Sequence, residues 1–127
     1  MRLLLDSHTL IWWLIDAPSL SGRAREAIAN RANAVWVSAV SAYELIHKHR
    51  LGKLRPPPLT DELLPMIRRA GLPLLAISFE HALAAAELPG PHRDPWDRLL
   101  MAQARLEQLT IVSIDPVFTD YGVPTLW

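Results

Sequence analysis

Arg2-Leu3-Leu4-Leu5-Asp6 is a short, unbroken apolar run that ends on a carboxylate. No polar residue alternates with the leucines, so both faces of such a strand must be covered, as in a parallel sheet packed between helices. Ser7 follows, and Leu10, Ile11, Trp13 and Leu14 recur at helical spacing until Pro18 stops them. The same order returns at Ile111-Val112-Ser113-Ile114-Asp115, a buried-type run closed by an acid and followed by Pro116. In a parallel α/β sheet the carboxyl ends of the strands share one edge, and ligands bind along that edge.

Further elements fill the interval. Ser21 is placed to cap a helix to about Arg31, Ala34-Val35-Trp36-Val37 reads as a strand, and Ser38 or Ser41 opens a helix to about Leu51. Gly52 ends it, and Pro56-Pro57-Pro58 forms a stiff connector. A helix from Thr60 to Gly71, a strand over Leu74 to Ile77 and an alanine-rich helix from Ser78 to Glu87 follow. The Pro- and Gly-bearing loop from Leu88 to Arg93 leads to Asp94-Pro95, which opens a helix to about Gln108. Pro116 to Tyr121 is a turn or short helix, and Val123 to Leu126 a last short strand. Alternating strands and helices without repeat or divider predict one α/β domain over residues 1–127, its central parallel sheet of four to five strands flanked by helices.

With 127 residues, half of them hydrophobic, the chain can bury a single core. Its 13 basic and 13 acidic side chains cancel, so any nucleic-acid contact has to come from local patches. Without cysteine there is no disulfide, thiolate nucleophile or cysteine-based zinc site. Asp6 arrives too early for a signal peptide, and no run approaches the roughly 18 apolar residues of a membrane span. A cytoplasmic protein is expected.

Asp6, Glu44, Asp97 and Asp115 are the acids that this topology brings to one edge. Each has a plainer explanation. Asp6 can cap the first helix, although Ser7 would serve equally well. Ser41-x-x-Glu44 fits a capping box, unless Ser38 is the true cap and Glu44 lies deeper among Tyr43, Leu45 and Ile46. Asp94 and Asp115 each precede a proline in cap-plus-proline pairs, and Asp97 at N3 complements the helix dipole. Together the acids are harder to dismiss. Two like charges 4 Å apart cost about 4 kcal/mol at an effective dielectric near 20, so gathered carboxylates call for a cation. Oxygen ligands without cysteine favour Mg²⁺ or Mn²⁺.

Ser7 and Ser113 can orient those carboxylates, and Asp94 stands close behind Asp97. Lys48, Arg50 and Lys53 lie in the cationic segment from His47 to Arg55 after Glu44, while Arg93 and Arg98 flank Asp94; all five are candidate phosphate contacts. The five histidines show no zinc spacing and are read as non-ligands. Adjacent Trp12 and Trp13 cannot share one helix face, so at least one is expected at a partner surface or groove.

Leu4-Leu5-Asp6-Ser7-His8, Val37-Ser38 leading to Glu44, Gly52-Lys53-Leu54 and above all the block His92-Arg93-Asp94-Pro95-Trp96-Asp97-Arg98-Leu99-Leu100-Met101-Ala102-Gln103-Ala104 resemble a PIN-domain protein, in particular the VapC-type toxins of toxin–antitoxin pairs. The resemblance runs nearly the whole chain, and its most specific part is the block from His92 to Ala104. It implies a parallel sheet between helices and a Mg²⁺- or Mn²⁺-dependent endoribonuclease, often acting on tRNA or rRNA loops. It also implies two partners: a second copy of the chain, and a small antitoxin whose tail fills the active-site groove. By position, Asp6, Glu44, Asp97 and Asp115 resemble the first to fourth metal-site acids, with Asp94 behind them. Ser7 and Ser113 stand where threonine is commoner, and Trp96 where phenylalanine is; hydroxyl and aromatic character are kept.

The expectation is therefore a metal-dependent endoribonuclease toxin, with a non-catalytic PIN-fold protein-binding module as the alternative. An aspartyl-phosphate enzyme would carry a second acid two residues after Asp6, where His8 stands. No G-x-G-x-x-G follows the first strand and there is no G-x-S-x-G, which argues against a dinucleotide enzyme and a serine hydrolase.

Overall fold

A computed structural model describes residues 1–54 and 62–127. The proline connector and the expected helix start at Thr60-Asp61 lie outside the described residues. Among the described residues five strands, β1 (Arg2–Leu5), β2 (Ala34–Ser38), β3 (Leu74–Leu75), β4 (Thr110–Val112) and β5 (Thr125–Leu126), form one sheet in the order β3-β2-β1-β4-β5. Every neighbouring pair is parallel, with Leu4 opposite Trp36 on one side and Ile111 on the other. The helices are α1 (Ser7–Leu14), α2 (Gly22–Ala29), α3 (Ala39–Arg50), α4 (Leu63–Arg69), α5 (Phe79–Glu87), α6 (Pro95–Glu107) and α7 (Pro116–Asp120).

The central position of β1 follows from its composition. Leu3, Leu4 and Leu5 are all fully buried because their alternating directions serve two cores. Leu3 and Leu5 join Val35, Val37 and Val112 beneath α1, α2 and α4, whereas Leu4 joins Ile111 with Leu100 and Met101 of α6 and Phe118 of α7. α3 contributes to both layers, through Leu45 and Val40. Strand order reverses direction at β1: the chain moves outward through β2 and β3, then returns to the other side of β1 as β4 and β5. The carboxyl ends of β1 and β4 thus bracket the switch point where parallel α/β sheets place ligands.

Three strand expectations need correction. The last strand, expected from Val123, covers only Thr125–Leu126. β3 covers only Leu74–Leu75, because it is an edge strand with one partner, and Leu74 and Ile77 face outward, half- and two-fifths exposed. β4 stops at Val112, since the Ser113 side chain turns to the site described below. Trp12 and Trp13 are both half-buried against the first core; Trp12 packs on Trp127 with ring centroids 5.7 Å apart, and Trp13 lines a groove with Leu14, Met66, Arg69 and Ala70, as expected of one of the pair.

Candidate active site

Asp6 ends β1 and caps α1, its Oδ1 accepting from the Thr9 N–H at 2.7 Å. Ser7 is therefore the first helical residue, not the cap. The Asp6 Oδ2 accepts a hydrogen bond from the Ser113 hydroxyl. The residue is 7% exposed, and its carboxyl is raised above the ordinary aspartate range by burial, against which the Ser113 and Thr9 bonds pull.

Glu44 sits deeper in its helix than a capping residue. Ser38 caps α3 through the Val40 N–H at 3.0 Å, which places Ser41 inside the first turn and removes the capping-box explanation. Glu44 is 4% exposed, with Oε1 accepting from the Ser7 hydroxyl at 2.7 Å and Oε2 paired with Lys48 one turn on. The Ser41 hydroxyl lies 3.1 Å from that of Ser7. Ser38 is itself held by the buried amide of Gln103, at 2.5 Å, which fixes the start of α3 against α6.

Asp94 is the expected cap, its Oδ1 accepting from the N–H groups of Trp96 at 2.9 Å and Asp97 at 3.2 Å, with Pro95 at N1. Asp97, in the first turn of α6, meets the His92 ring, with Nε2 and Oδ2 2.9 Å apart. Burial raises the Asp97 carboxyl to about 6; the charges of Asp94 and Glu44 push the same way, and the hydrogen bond to His92 pulls down.

That shift carries a sign. A carboxyl with raised affinity binds its proton more tightly in the folded protein, so its favourable contribution is complete below the unfolded value near 3.8 and is lost as pH rises through about 6. The stability gap between wild type and Asp97→Asn, followed by denaturant midpoint in EDTA, is therefore expected to favour the variant at pH 7 and to shrink as pH falls from 7 to 4. A gap that stays constant over that range would contradict the assignment.

Asp115 is exposed and caps α7 through the Val117 N–H at 3.0 Å. Its own N–H donates to the Ser113 Oγ at 3.0 Å, so Ser113, buried and shared, ties Asp115 to Asp6. Ser7 likewise ties the end of β1 to Glu44. All four acids stand at the same sheet edge in two linked groups, and Glu44 and Asp97 sense each other's charge. The set is not one tight cage. Among the described residues, the one group whose ligand atoms all lie within 4.8 Å of one another is His92, Asp94 and Asp97.

His92 was not anticipated, because histidine spacing in sequence does not show a loop folding back onto a helix start. Its N–H donates to the Tyr121 hydroxyl at 2.9 Å. Gly90, at φ +106, leaves room for that phenol: a Cβ there would collide with the Tyr121 oxygen.

Of the candidate cations, Lys48 is the one paired to an acid of the site. Arg98 instead donates to the backbone carbonyls of Ala85, Ala86, Leu88 and His92, joining the end of α5 to α6, so its guanidinium is committed to the fold. Arg50, Lys53 and Arg93 are exposed. Buried carboxylates whose proton affinity is raised form a site short of positive charge, and carboxylate oxygens with one neighbouring imidazole fit a divalent cation. Away from the acids, an apolar groove of about 420 Å³ runs between α3, α4 and β3, lined by Ala42, Ile46, Leu64, Ile67 and Leu74. No helix among the described residues is long and apolar enough to cross a membrane.

An open parallel α/β sheet with an acidic carboxyl edge at its switch point defines the class, and the family follows from the sequence: residues 3–124 match the PIN domain model, and the chain belongs to that family. Solved structures share the fold. VapBC2 from Rickettsia felis, bound to a promoter DNA fragment, aligns with TM-score 0.72 and 16% identity over 99% of this chain and 98% of that one. DNA-bound VapBC from Salmonella typhimurium gives 0.71 and 17% over 99% and 97%. FitAcB from Neisseria gonorrhoeae gives 0.64 and 19% over 98% and 96%. No curated protein sequence matches the chain.

Proposed function

We infer that this chain is the toxin of a toxin–antitoxin pair and acts as an endoribonuclease that hydrolyses RNA phosphodiester bonds with a divalent cation, Mg²⁺ or Mn²⁺. The observation that carries the reading is a row of acids after the carboxyl ends of β1 and β4: Asp6 buried and bonded to Ser113, Glu44 buried and bonded to Ser7, and Asp97 close enough to Glu44 to sense its charge, with the Asp6 and Asp97 carboxyls raised by burial. Asp6, Glu44 and Asp97 would hold the cation, Asp115 would support them, and Ser7, Asp94 and Ser113 would fix their orientation. When bound, the cation supplies Lewis-acid activation of water and counter-charge for the phosphate in the transition state.

The chain's own groups do the positioning. Ser113 and the Thr9 N–H aim Asp6, Ser7 aims Glu44, and His92 aims Asp97. Lys48 is in place to exchange its pairing with Glu44 for a substrate phosphate, and the exposed Arg50, Lys53 and Arg93 are offered as further phosphate contacts. Substrate RNA of the tRNA or rRNA type, a cognate antitoxin, a second copy of the chain and a cytoplasmic setting belong to the same reading. Its supports are membership of the PIN family and fold likeness to VapBC and FitAB assemblies.

The purified chain is expected to cleave RNA in Mg²⁺ or Mn²⁺ and to stop in EDTA, with activity restored by excess metal; cleavage indifferent to EDTA would refute the metal site. The apolar groove beside β3 favours a second reading, a protein-binding module without catalysis. Full growth arrest by an Asp97→Ala variant would support that reading over the nuclease.

A further inference from the structure

Tyr43 immediately precedes Glu44, and Trp96 immediately precedes Asp97. Each acid on a helix therefore has an aromatic neighbour about 100° around the same axis. The two helices meet so that these neighbours converge. Tyr43 and His47, one turn apart on α3, stack at 5.8 Å with planes 25° apart; Trp96 of α6 lies 6.1 Å from Tyr43 and 5.6 Å from His47. Lys48 Nζ stands 5.8 Å from the centre of the Trp96 ring.

The cluster is open on its outer side. Tyr43 is 64% exposed, although it is large and partly apolar. Burial against the core does not account for its position, and a helix-surface pair with His47 contributes little. Two cations stand beside it, Lys48 and Arg50 in the last turn of α3, Lys48 paired with Glu44. Aromatic faces beside cations suit single-stranded nucleic acid, in which bases stack on the rings while cations follow the phosphates. In duplex RNA the base faces are already stacked inside the helix and unavailable.

We propose that Tyr43, His47 and Trp96 form a stacking platform for one unpaired RNA base next to the scissile phosphate, with Lys48 contacting that nucleotide's phosphate. This deepens the nuclease reading and rests on it. The platform makes Tyr43 a binding residue. It stacks a base without reading its hydrogen-bonding edge.

The test is binding of a labelled single-stranded RNA to the full chain in Ca²⁺, followed by fluorescence anisotropy, for wild type, Tyr43→Ala and Tyr43→Phe. Tyr43→Ala is expected to weaken binding by roughly 5- to 150-fold, the loss of one stacked base. Tyr43→Phe should bind as wild type. An abasic nucleotide at the contacted position should weaken wild type but add little to Tyr43→Ala. Affinity for Mn²⁺, measured directly, should be the same in all three proteins. Equal RNA binding by Tyr43→Ala and wild type overturns the platform and leaves the nuclease intact. An equal loss on fully duplex RNA also overturns it, because base faces stacked inside a duplex cannot use the platform. A variant that keeps RNA but loses a co-expressed antitoxin would assign the surface to a protein partner instead. Wild type that neither binds nor cleaves any RNA removes the nuclease reading itself.

Discussion

Asp97→Asn is expected to lower RNA cleavage by well over the roughly 10- to 100-fold typical of losing a residue one shell outside a metal, while leaving the protein as stable as wild type or more so at pH 7. The two halves have one cause. The carboxylate is held in a partly buried position beside Asp94 and Glu44, so its ionised form is disfavoured by the fold, and its carboxyl is raised to about 6. An amide has nearly the same shape and can still accept from His92, but it carries no charge to repel its neighbours or to hold a cation. Asp6→Asn should behave in the same way, because asparagine caps α1 as well as aspartate does. Asp6→Ala would add a stability loss of about 0.5–2 kcal/mol for the missing cap. Single-turnover cleavage of a labelled RNA and a thermal melt on the same preparations check both halves. Retained cleavage in both asparagine variants would remove these acids from the mechanism; loss of cleavage together with unfolding would mean the site cannot be separated from the scaffold.

Leu4→Ala is expected to cost about 2–5 kcal/mol, a large part of the 5–15 kcal/mol typical of a domain. Leu4 is fully buried at the centre of β1, in the cluster with Val40, Leu100, Met101 and Ile111. Its neighbours on β2 and β4 are held by backbone pairing on both sides, so the space left by the missing atoms cannot close readily. A denaturant titration measures the effect. A loss below about 1 kcal/mol would mean that the second core layer collapses around the smaller side chain, contrary to the usual behaviour of a close-packed interior.

Sequence alone carried the central sheet well, because its signals are local and doubled. Three leucines ending on Asp6, and Ile111-Val112 leading to Asp115, mark strands covered on both faces, and Asp94-Pro95 marks the start of α6 without ambiguity. The periphery was less legible. Four apolar residues from Leu74 read as a strand, but strand length at an edge depends on how far β2 extends beside it. Asp6 or Ser7, and Ser38 or Ser41, are equivalent caps by residue type, since these side chains bond backbone equally well; long-range partners separate them, with Ser7 drawn to Glu44 and Ser41 to Ser7. Arg98 looked like a phosphate contact from its place beside Asp97, whereas carbonyls from a preceding helix absorb it. The role of His92 is not legible in the sequence, because it depends on Asp97 and on Tyr121, 29 residues away, and no spacing rule reports a contact of that kind.

At the ends of β1 and β4 and at the start of α6, Asp6, Asp115 and Asp94 begin helices through the same carboxylates that line the edge. Folding and chemistry thus draw on one atom set, and asparagine satisfies only the first of them. Under the proposed function, a single-nucleotide change in an aspartate codon would therefore abolish cleavage while sparing the fold. If the chain has the proposed antitoxin, a duplicated gene altered in this way would encode a decoy that binds the antitoxin without cleaving RNA.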